Sequence, residues 1–303
     1  MEANQTNQPH RAGFVSIVGK PNVGKSTLMN VLVGESLSIV TSKAQTTRHR
    51  IMGILNGVEN GIPYQLVYSD TPGILHSTYK LHDSMMAFVR GSLEDADAVL
   101  FVTEPGEKAE THDALPLLKK TDAPIVLIIN KMDLSGQEEV ESKIAEWKEV
   151  IEPVHVAVVS ALHNYNTDGI LEVLVNLLPE HPAYFPDNDL TDRPERFFAS
   201  EIIREKIFLN YKQEIPYSSE VVIQEFKEKE DIIVILADIL VERNSQKGII
   251  IGEKGSMLKK IGIQARKNLE AFFQKKVFLE TRVKVDPDWR NNELRLKQLG
   301  YKE

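Results

Sequence analysis

Apolar residues gather in short runs along the first part of the chain: "FVSIV" from Phe14, "YQLVYSD" from Tyr64, "DAVLFVT" from Asp97, "PIVLIIN" from Pro124 and "VHVAVVS" from Val154. Helical periods lie between most of them, as in "TLMNVLVG", "YKLHDSMMAFVRGSLEDA" and "DGILEVLVNLL". Apolar strands alternating with amphipathic helices predict an α/β domain, a mostly parallel sheet with helices on both faces. Ligands of such sheets bind beyond the carboxyl ends of the strands. The polar motifs of this chain fall there, each directly after a run.

The alternation stops in the Pro-rich stretch "PEHPAYFPDNDLTDRPER", whose breakers predict a linker over 181–196. A domain over 10–180 is expected before it and a second over 197–303 after it. In the second, Phe198, Ile202, Ile203 and Ile207 mark a helix, and "SEVVIQEF" and "DIIVILADILVER" mark two strands. Leu258, Ile261, Ala265, Leu269 and Phe272 form a helical stripe, and "VFLETRVKV" alternates as a half-buried strand. That is an α+β domain. Between these elements "GIIIG" from Gly248 reads as a strand by pattern alone.

Two domains also suit a chain of 303 residues. With no cysteine, disulfides and thiolate metal sites are excluded. The polar start "MEANQTNQPHRAG" lacks an apolar core and reads as a frayed tail, and no apolar run approaches a membrane span. A net charge of −8 argues against a protein that coats nucleic acid indiscriminately. The distribution alters that picture. Between Lys247 and Lys284 ten Lys and Arg face three Glu.

The chemistry begins at "GKPNVGKST", where Gly19, Lys20, Pro21, Asn22, Val23, Gly24, Lys25, Ser26 and Thr27 satisfy the P-loop pattern. Its glycines let backbone N–H groups turn inward around phosphates, and the helix that follows adds its positive end. Lys25 would neutralise the outer phosphates and Ser26 would hold Mg²⁺. "DTPG" places Asp70 to hold a magnesium water, with Thr71, Pro72, Gly73 and Ile74 against the terminal phosphate. In "NKMD", comprising Asn130, Lys131, Met132 and Asp133, the Asp133 carboxylate can accept from both the ring N–H and the amino group of guanine. Adenine offers neither, so GTP and GDP are the expected ligands. "SAL" adds Ser160, Ala161 and Leu162, with the Ala161 N–H expected at the guanine carbonyl. The P-loop is a strong signal by itself and each short motif alone is weak; the four together, in this order, are very specific.

The polar stretch "SLSIVTSKAQTTRHRIMG" reads as a mobile loop bringing a threonine to Mg²⁺, with Thr47 preferred to Thr46. Catalysis is expected to rest on Lys25, Thr47, Gly73 and Asn22. After Gly73 come Ile74 and Leu75, where many GTPases carry a water-orienting glutamine, so unassisted hydrolysis is expected to be slow. Asn22 has two readings: ligand of a K⁺ that bridges the phosphates, or plain stabiliser of the loop turn. His76 and His82 read as surface residues.

"GEKG", Gly252-Glu253-Lys254-Gly255, is a second glycine loop, set in the basic stretch with Lys259, Lys260 and Arg266 after it. It looks like the clamp of a type II KH domain, which grips about four nucleotides of single-stranded RNA. That likeness makes "GIIIG" a short helix instead of a strand. Four neutralised phosphates imply a log–log salt slope of about −3 at most.

"GKPNVGKSTL", "KAQTTRHRI", "DTPG", "NKMD", "RFFASEIIREKI" and "IGEKGSMLKKIGIQAR" together resemble the bacterial Era GTPases over almost the whole chain. The resemblance implies a P-loop G domain followed by a type II KH domain in a cytoplasmic monomer. It also implies slow GTP hydrolysis, binding of the 3′ end of small-subunit ribosomal RNA and a part in 30S subunit assembly. Loose contact with the cytoplasmic membrane face is implied too. Two other classes remain at this stage: a P-loop small-molecule kinase, which "NKMD" disfavours, and a GTP-gated RNA-binding module with negligible hydrolysis.

Overall fold

The computed structural model describes residues 9–301. Of the polar start expected to fray, residues 1–8 lie outside those described, and Arg11–Gly13 open the first strand. The chain divides into two compact units. The first runs to Ser38 and takes in Thr47–His76 and Met85–Asp192; the second takes Ile39–Thr46, Ser77–Ser84 and the chain from Arg193.

In chain order the first run of elements is β1 (Arg11–Val18), α1 (Lys25–Val33), β2 (Ile51–Glu59), β3 (Ile62–Asp70), α2 (Lys80–Glu94), β4 (Ala98–Thr103), α3 (Leu115–Leu118), β5 (Ile125–Ile129), α4 (Gln137–Val150), β6 (His155–Val158) and α5 (Asp168–Leu177). The sheet order is β2-β3-β1-β4-β5-β6. All neighbours are parallel except β2 with β3. The five apolar runs are β1, β3, β4, β5 and β6. Strand β2 is a sixth, unforeseen because Gly53 and Gly57 interrupt its pattern and one of its edges is free of other strands. Val99, Phe101, Leu127, Ile129 and Trp147 are among the core of one face.

The stretch expected as a linker is bonded to that sheet. Ile54 N–H donates to Leu190 O (2.9 Å) and Met52 N–H to Asp192 Oδ1 (3.1 Å). The buried Gln65 accepts from Tyr184 N (2.7 Å) and Phe185 N (2.9 Å). The exposed edge of β2 needs partners for its backbone, and the Pro-rich chain supplies them without forming a strand. The unit boundary therefore falls at Asp192–Arg193.

The second run is α6 (Glu195–Asn210), α7 (Ile215–Ser218), β7 (Glu220–Glu228), β8 (Ile232–Val241), α8 (Asn244–Ile251), α9 (Ser256–Phe273), β9 (Lys276–Val285) and α10 (Glu293–Gln298). Its sheet is β7-β8-β9, antiparallel then parallel. Ile203, Ile207, Ile235, Ile239, Ile261, Ala265 and Leu269 are fully buried between helices and sheet. "GIIIG" lies in α8 and is helical. Gln246 Oε1 accepts from Glu242 N (2.9 Å) and Arg243 N (3.0 Å), satisfying donors at the start of that helix. Residues Ile39–Thr46, expected as a mobile loop, are held within this unit. Lys43 Nζ donates to the carbonyls of Phe208 and Tyr211, and Arg204 to the carbonyl of Thr46. Among the described residues no helix is long and apolar enough to cross a membrane.

Candidate functional site

The P-loop joins β1 to α1, and its shape follows from one residue without a side chain. Gly24 has φ 97°, and a Cβ there would lie 2.2 Å from Asn130 Nδ2. Only glycine combines that left-handed backbone with that approach. Asn130, at the end of β5, donates Nδ2 to Val23 O (2.8 Å) and accepts the Ala161 N–H on Oδ1 (2.9 Å). One side chain thus ties the first, third and fourth motifs together. The Ala161 N–H, expected at a guanine carbonyl, is spent on Asn130.

Lys25 is buried and curls back on its own loop, its Nζ donating to Gly19 O (3.1 Å) and Lys20 O (2.7 Å). Burial pushes its ammonium down to about 8, against the opposing pull of Asp70 and Glu107. The second motif closes over the same loop. Ile74 N–H donates to Gly19 O (3.0 Å), Thr71 Oγ1 to Ile17 O (2.7 Å), and a Cβ on Gly73 would fall 2.6 Å from Pro21 N. Pro72 is buried beside them. The Ile74 side chain is buried in the core with Val18, Met86 and Val89. Its side chain, expected against the terminal phosphate, is thus turned into the core, and only its N–H bonds the P-loop.

Ser26 Oγ and Thr47 Oγ1 are 2.8 Å apart, and Thr47 Oγ1 lies 3.5 Å from Asp70 Oδ2. Thr46 is not at this point: its hydroxyl pairs with Thr41 (2.6 Å) and with Lys43 O (2.7 Å). Asp70 is fully buried and its Oδ1 accepts no hydrogen bond. Burial pushes its carboxyl up, while the Ser26 hydroxyl and the Lys25 charge pull it the other way. Two hydroxyls beside a buried carboxylate with an unused oxygen are the hard donor set that suits Mg²⁺.

At the far end Asp133 Oδ1 accepts from Ser160 Oγ (2.5 Å), which holds the carboxyl below the usual range and so ionised. Lys131, in a left-handed conformation, pairs with Glu104, and Met132 N–H donates to Val159 O (3.2 Å). Leu162 is exposed, as are Leu134 and Tyr165 around it. Asn22 is exposed with φ 67°, a conformation asparagine tolerates well in turns. His76 is exposed. His82 is buried, contrary to expectation, with Nδ1 3.0 Å from Thr78 Oγ1. Sequence reading passed over Glu107 and His112, a partly buried acid beside a buried imidazole in the loop after β4. No periodicity marks two polar residues five apart in a loop.

In the second unit Gly252 has φ 71°, and a Cβ there would meet Met257 Cγ at 2.7 Å. Glu253 and Lys254 stand exposed at the tip. A groove of about 380 Å³ opens beside it, lined by Gly255, Leu258, Lys259, Gly262, Ile263, Arg266, Leu279 and Thr281. Lys260 is exposed but does not line it.

The model of a 50S ribosome-binding GTPase family matches residues 14–131, and that of the KH domain matches residues 214–290. GTPase Era of Geotalea daltonii is 46% identical over 300 residues, covering 98% of this chain and 99% of the relative. The chain belongs to the Era GTPase family. Era of Geobacter metallireducens is 44% identical over 98% of the chain. Among solved structures, Era bound to MgGDPNP and nucleotides 1506–1542 of 16S ribosomal RNA matches with TM-score 0.90 and 37% identity, over 97% of this chain and 100% of that one. A single-substitution variant of Aquifex aeolicus Era bound to GDP·AlF₄⁻ matches equally well. As an Era GTPase the chain hydrolyses GTP, which sets aside the small-molecule kinase reading.

Proposed function

We propose that this Era GTPase binds Mg-GTP over the carboxyl edge of its first sheet and uses the nucleotide's state to govern capture of single-stranded RNA by the KH unit. The RNA would be the 3′ end of the small-subunit ribosomal RNA, and the process served would be 30S subunit assembly. What supports the reading above all is the likeness, over nearly the whole chain, to a relative solved with both MgGDPNP and a 16S fragment. Ser26 and Thr47 would hold Mg²⁺ directly and Asp70 through water. The ion would supply charge stabilisation at the β- and γ-phosphates. Gly19 to Thr27 would wrap the phosphates and Lys25 would neutralise them; Gly73 would turn its N–H to the terminal phosphate. Asp133 would read the guanine edge, with Asn130 keeping its loop against the P-loop. Gly255, Lys259 and Arg266 would line the path of the RNA, and Lys254 and Lys260 would meet its phosphates from outside the groove.

Three finer assignments belong to the same proposal. Asn22 would ligate a K⁺ that assists hydrolysis; equal turnover in potassium and sodium buffers removes this. The protein would be a cytoplasmic monomer that works on the 30S subunit. It would touch the cytoplasmic membrane face only loosely, which cell fractionation checks.

The deciding measurement is the affinity for an oligonucleotide of the 16S 3′ end with the nucleotide pocket empty, GDP-filled and filled with a non-hydrolysable GTP analogue. Affinities that differ between states support the switch. Three equal values reduce the chain to two unrelated binders.

A further inference from the structure

The pair passed over in the sequence, Glu107 and His112, lies in the loop that follows β4. Glu107 Oε2 accepts from Thr103 Oγ1 at 2.7 Å and sits 3.3 Å from His112 Nε2. His112 is itself buried, accepts the Ala114 N–H on Nδ1 (3.1 Å), and is packed edge-on against Phe101 and Trp147 at 5.4 and 5.1 Å. An imidazole whose Nδ1 accepts a hydrogen bond carries its proton on Nε2, the nitrogen on the carboxylate's side, although the two are not aligned as a hydrogen bond. The Thr103 hydroxyl holds the carboxylate, with the imidazole beside it.

Its place is beside the phosphate loop. Thr103 closes β4, and a Cβ on Gly19 would lie 2.2 Å from the carbonyl of the residue before it, Val102. The Thr103 carbonyl also receives the N–H of Asn130 (2.9 Å). Its charge favours the ammonium of Lys25, after the larger pull of Asp70, and is itself favoured by Lys20, whose ion-pair partner is Asp113 at 3.8 Å. Burial pushes the Glu107 carboxyl up, but His112, Thr103 and Lys20 more than offset it, and the group stays ionised.

A fixed negative charge here does two opposite things. In the empty pocket it favours the buried ammonium of Lys25. Once phosphates arrive it repels them, and it repels the charge of a triphosphate more than that of a diphosphate. We infer that Glu107, held by Thr103 beside His112, is a specificity-determining residue that weakens GTP relative to GDP through its charge. Such a residue would keep the triphosphate state from being over-stabilised in a slow hydrolase. The inference rests on the nucleotide lying in the P-loop as proposed above.

The test is a pair of dissociation constants, for a non-hydrolysable GTP analogue and for GDP, measured on native protein and on Glu107→Gln, Glu107→Met and Glu107→Asp. The two neutral replacements are expected to tighten the GTP analogue about three- to ten-fold more than GDP. Glu107→Asp, which retains the charge, is expected to keep the native ratio. Circular dichroism checks folding, and Glu107→Met carries the test if the amide variant does not fold. A ratio unchanged within two-fold in the neutral variants, or shifted as far in Glu107→Asp, overturns the inference. Should native protein bind neither nucleotide in a Lys25-dependent way, it is the underlying site reading that fails.

Discussion

The Asn130 side chain occupies the space that a Cβ on Gly24 would need, the two being 2.2 Å apart once that carbon is built. The same amide bonds Val23 and Ala161, so the P-loop and the guanine loops share one strut. Asn130→Ala is expected to lose two buried hydrogen bonds, about 2–4 kcal/mol, and to weaken GDP binding by roughly 10²-fold or more. Gly24→Ala is expected to do comparable damage through strain. Titration with a fluorescent GDP measures both; native affinity in Asn130→Ala would remove the strut.

Base choice is expected to reside in Asp133. Replacing it by Asn turns one acceptor oxygen into a donor, which mismatches guanine and matches xanthine. Discrimination should move towards xanthosine triphosphate by roughly 10²–10⁴. Competition between the two nucleotides on the variant decides it, and unchanged guanine preference refutes the assignment.

Lys25 carries a pH signature. Its ammonium drops from 10.5 to about 8 on folding, chiefly because it is buried. Below pH 8 both folded and unfolded chains hold the proton, and the folded one bears the whole cost of burying charge. Between pH 8 and 10.5 the unfolded chain binds more protons, so the cost is relieved and the nucleotide-free protein gains stability at this group as pH rises. Nucleotide binding needs the charge and moves the other way, falling by about ten-fold per pH unit above 8. Calorimetry with GDP at pH 7, 8 and 9 measures it; a flat profile contradicts the burial argument.

Ile74→Gln does not restore a missing catalytic glutamine. The side chain is only 5% exposed and packed with Val18 and Val89, so the amide would be buried without partners. Stability is expected to fall by about 1–3 kcal/mol with no gain in turnover. Denaturant unfolding and single-turnover hydrolysis check the two halves. A faster variant of native stability would show the side chain free to reach the phosphates.

Lys259 and Arg266 line the groove of the KH unit. Removing both by Lys259→Ala and Arg266→Ala should weaken single-stranded RNA and flatten the log–log salt slope by about 1.4. Lys260→Ala, outside the groove, should change affinity less. An unchanged slope in the double variant would exclude phosphate contacts there.

How much of this was legible in the chain varies from element to element. The five apolar runs were: β1, β3, β4 and β5 are largely buried, as continuous apolar runs should be, and β6 closes the edge with an apolar run of its own. Strand β2 was not, since Gly53 and Gly57 break its pattern and its edge is satisfied by a Pro-rich segment more than a hundred residues on. That segment looked like a tether for the same reason: its partners lie on a strand distant in sequence. For "GIIIG" the pattern alone pointed to a strand, because isoleucines have strand propensity, and the KH likeness pointed to the helix that forms with Ile250 packed into the core. His82 looked like a surface residue and is buried.

Local order along the chain was enough to establish the four nucleotide motifs, their placement after strands, the basic glycine loop and the α/β-then-α+β plan, because each depends on residues within a few positions of one another. Tertiary structure alone decided that the hydroxyls of Ser26 and Thr47 meet beside a buried Asp70, that Asn130 spans 107 residues to hold Val23, and that Glu107 carries its charge near the lysines of the P-loop. Those are contacts between segments remote in sequence, and no short-range periodicity records which side chains the folded backbone brings within hydrogen-bonding or Coulombic reach.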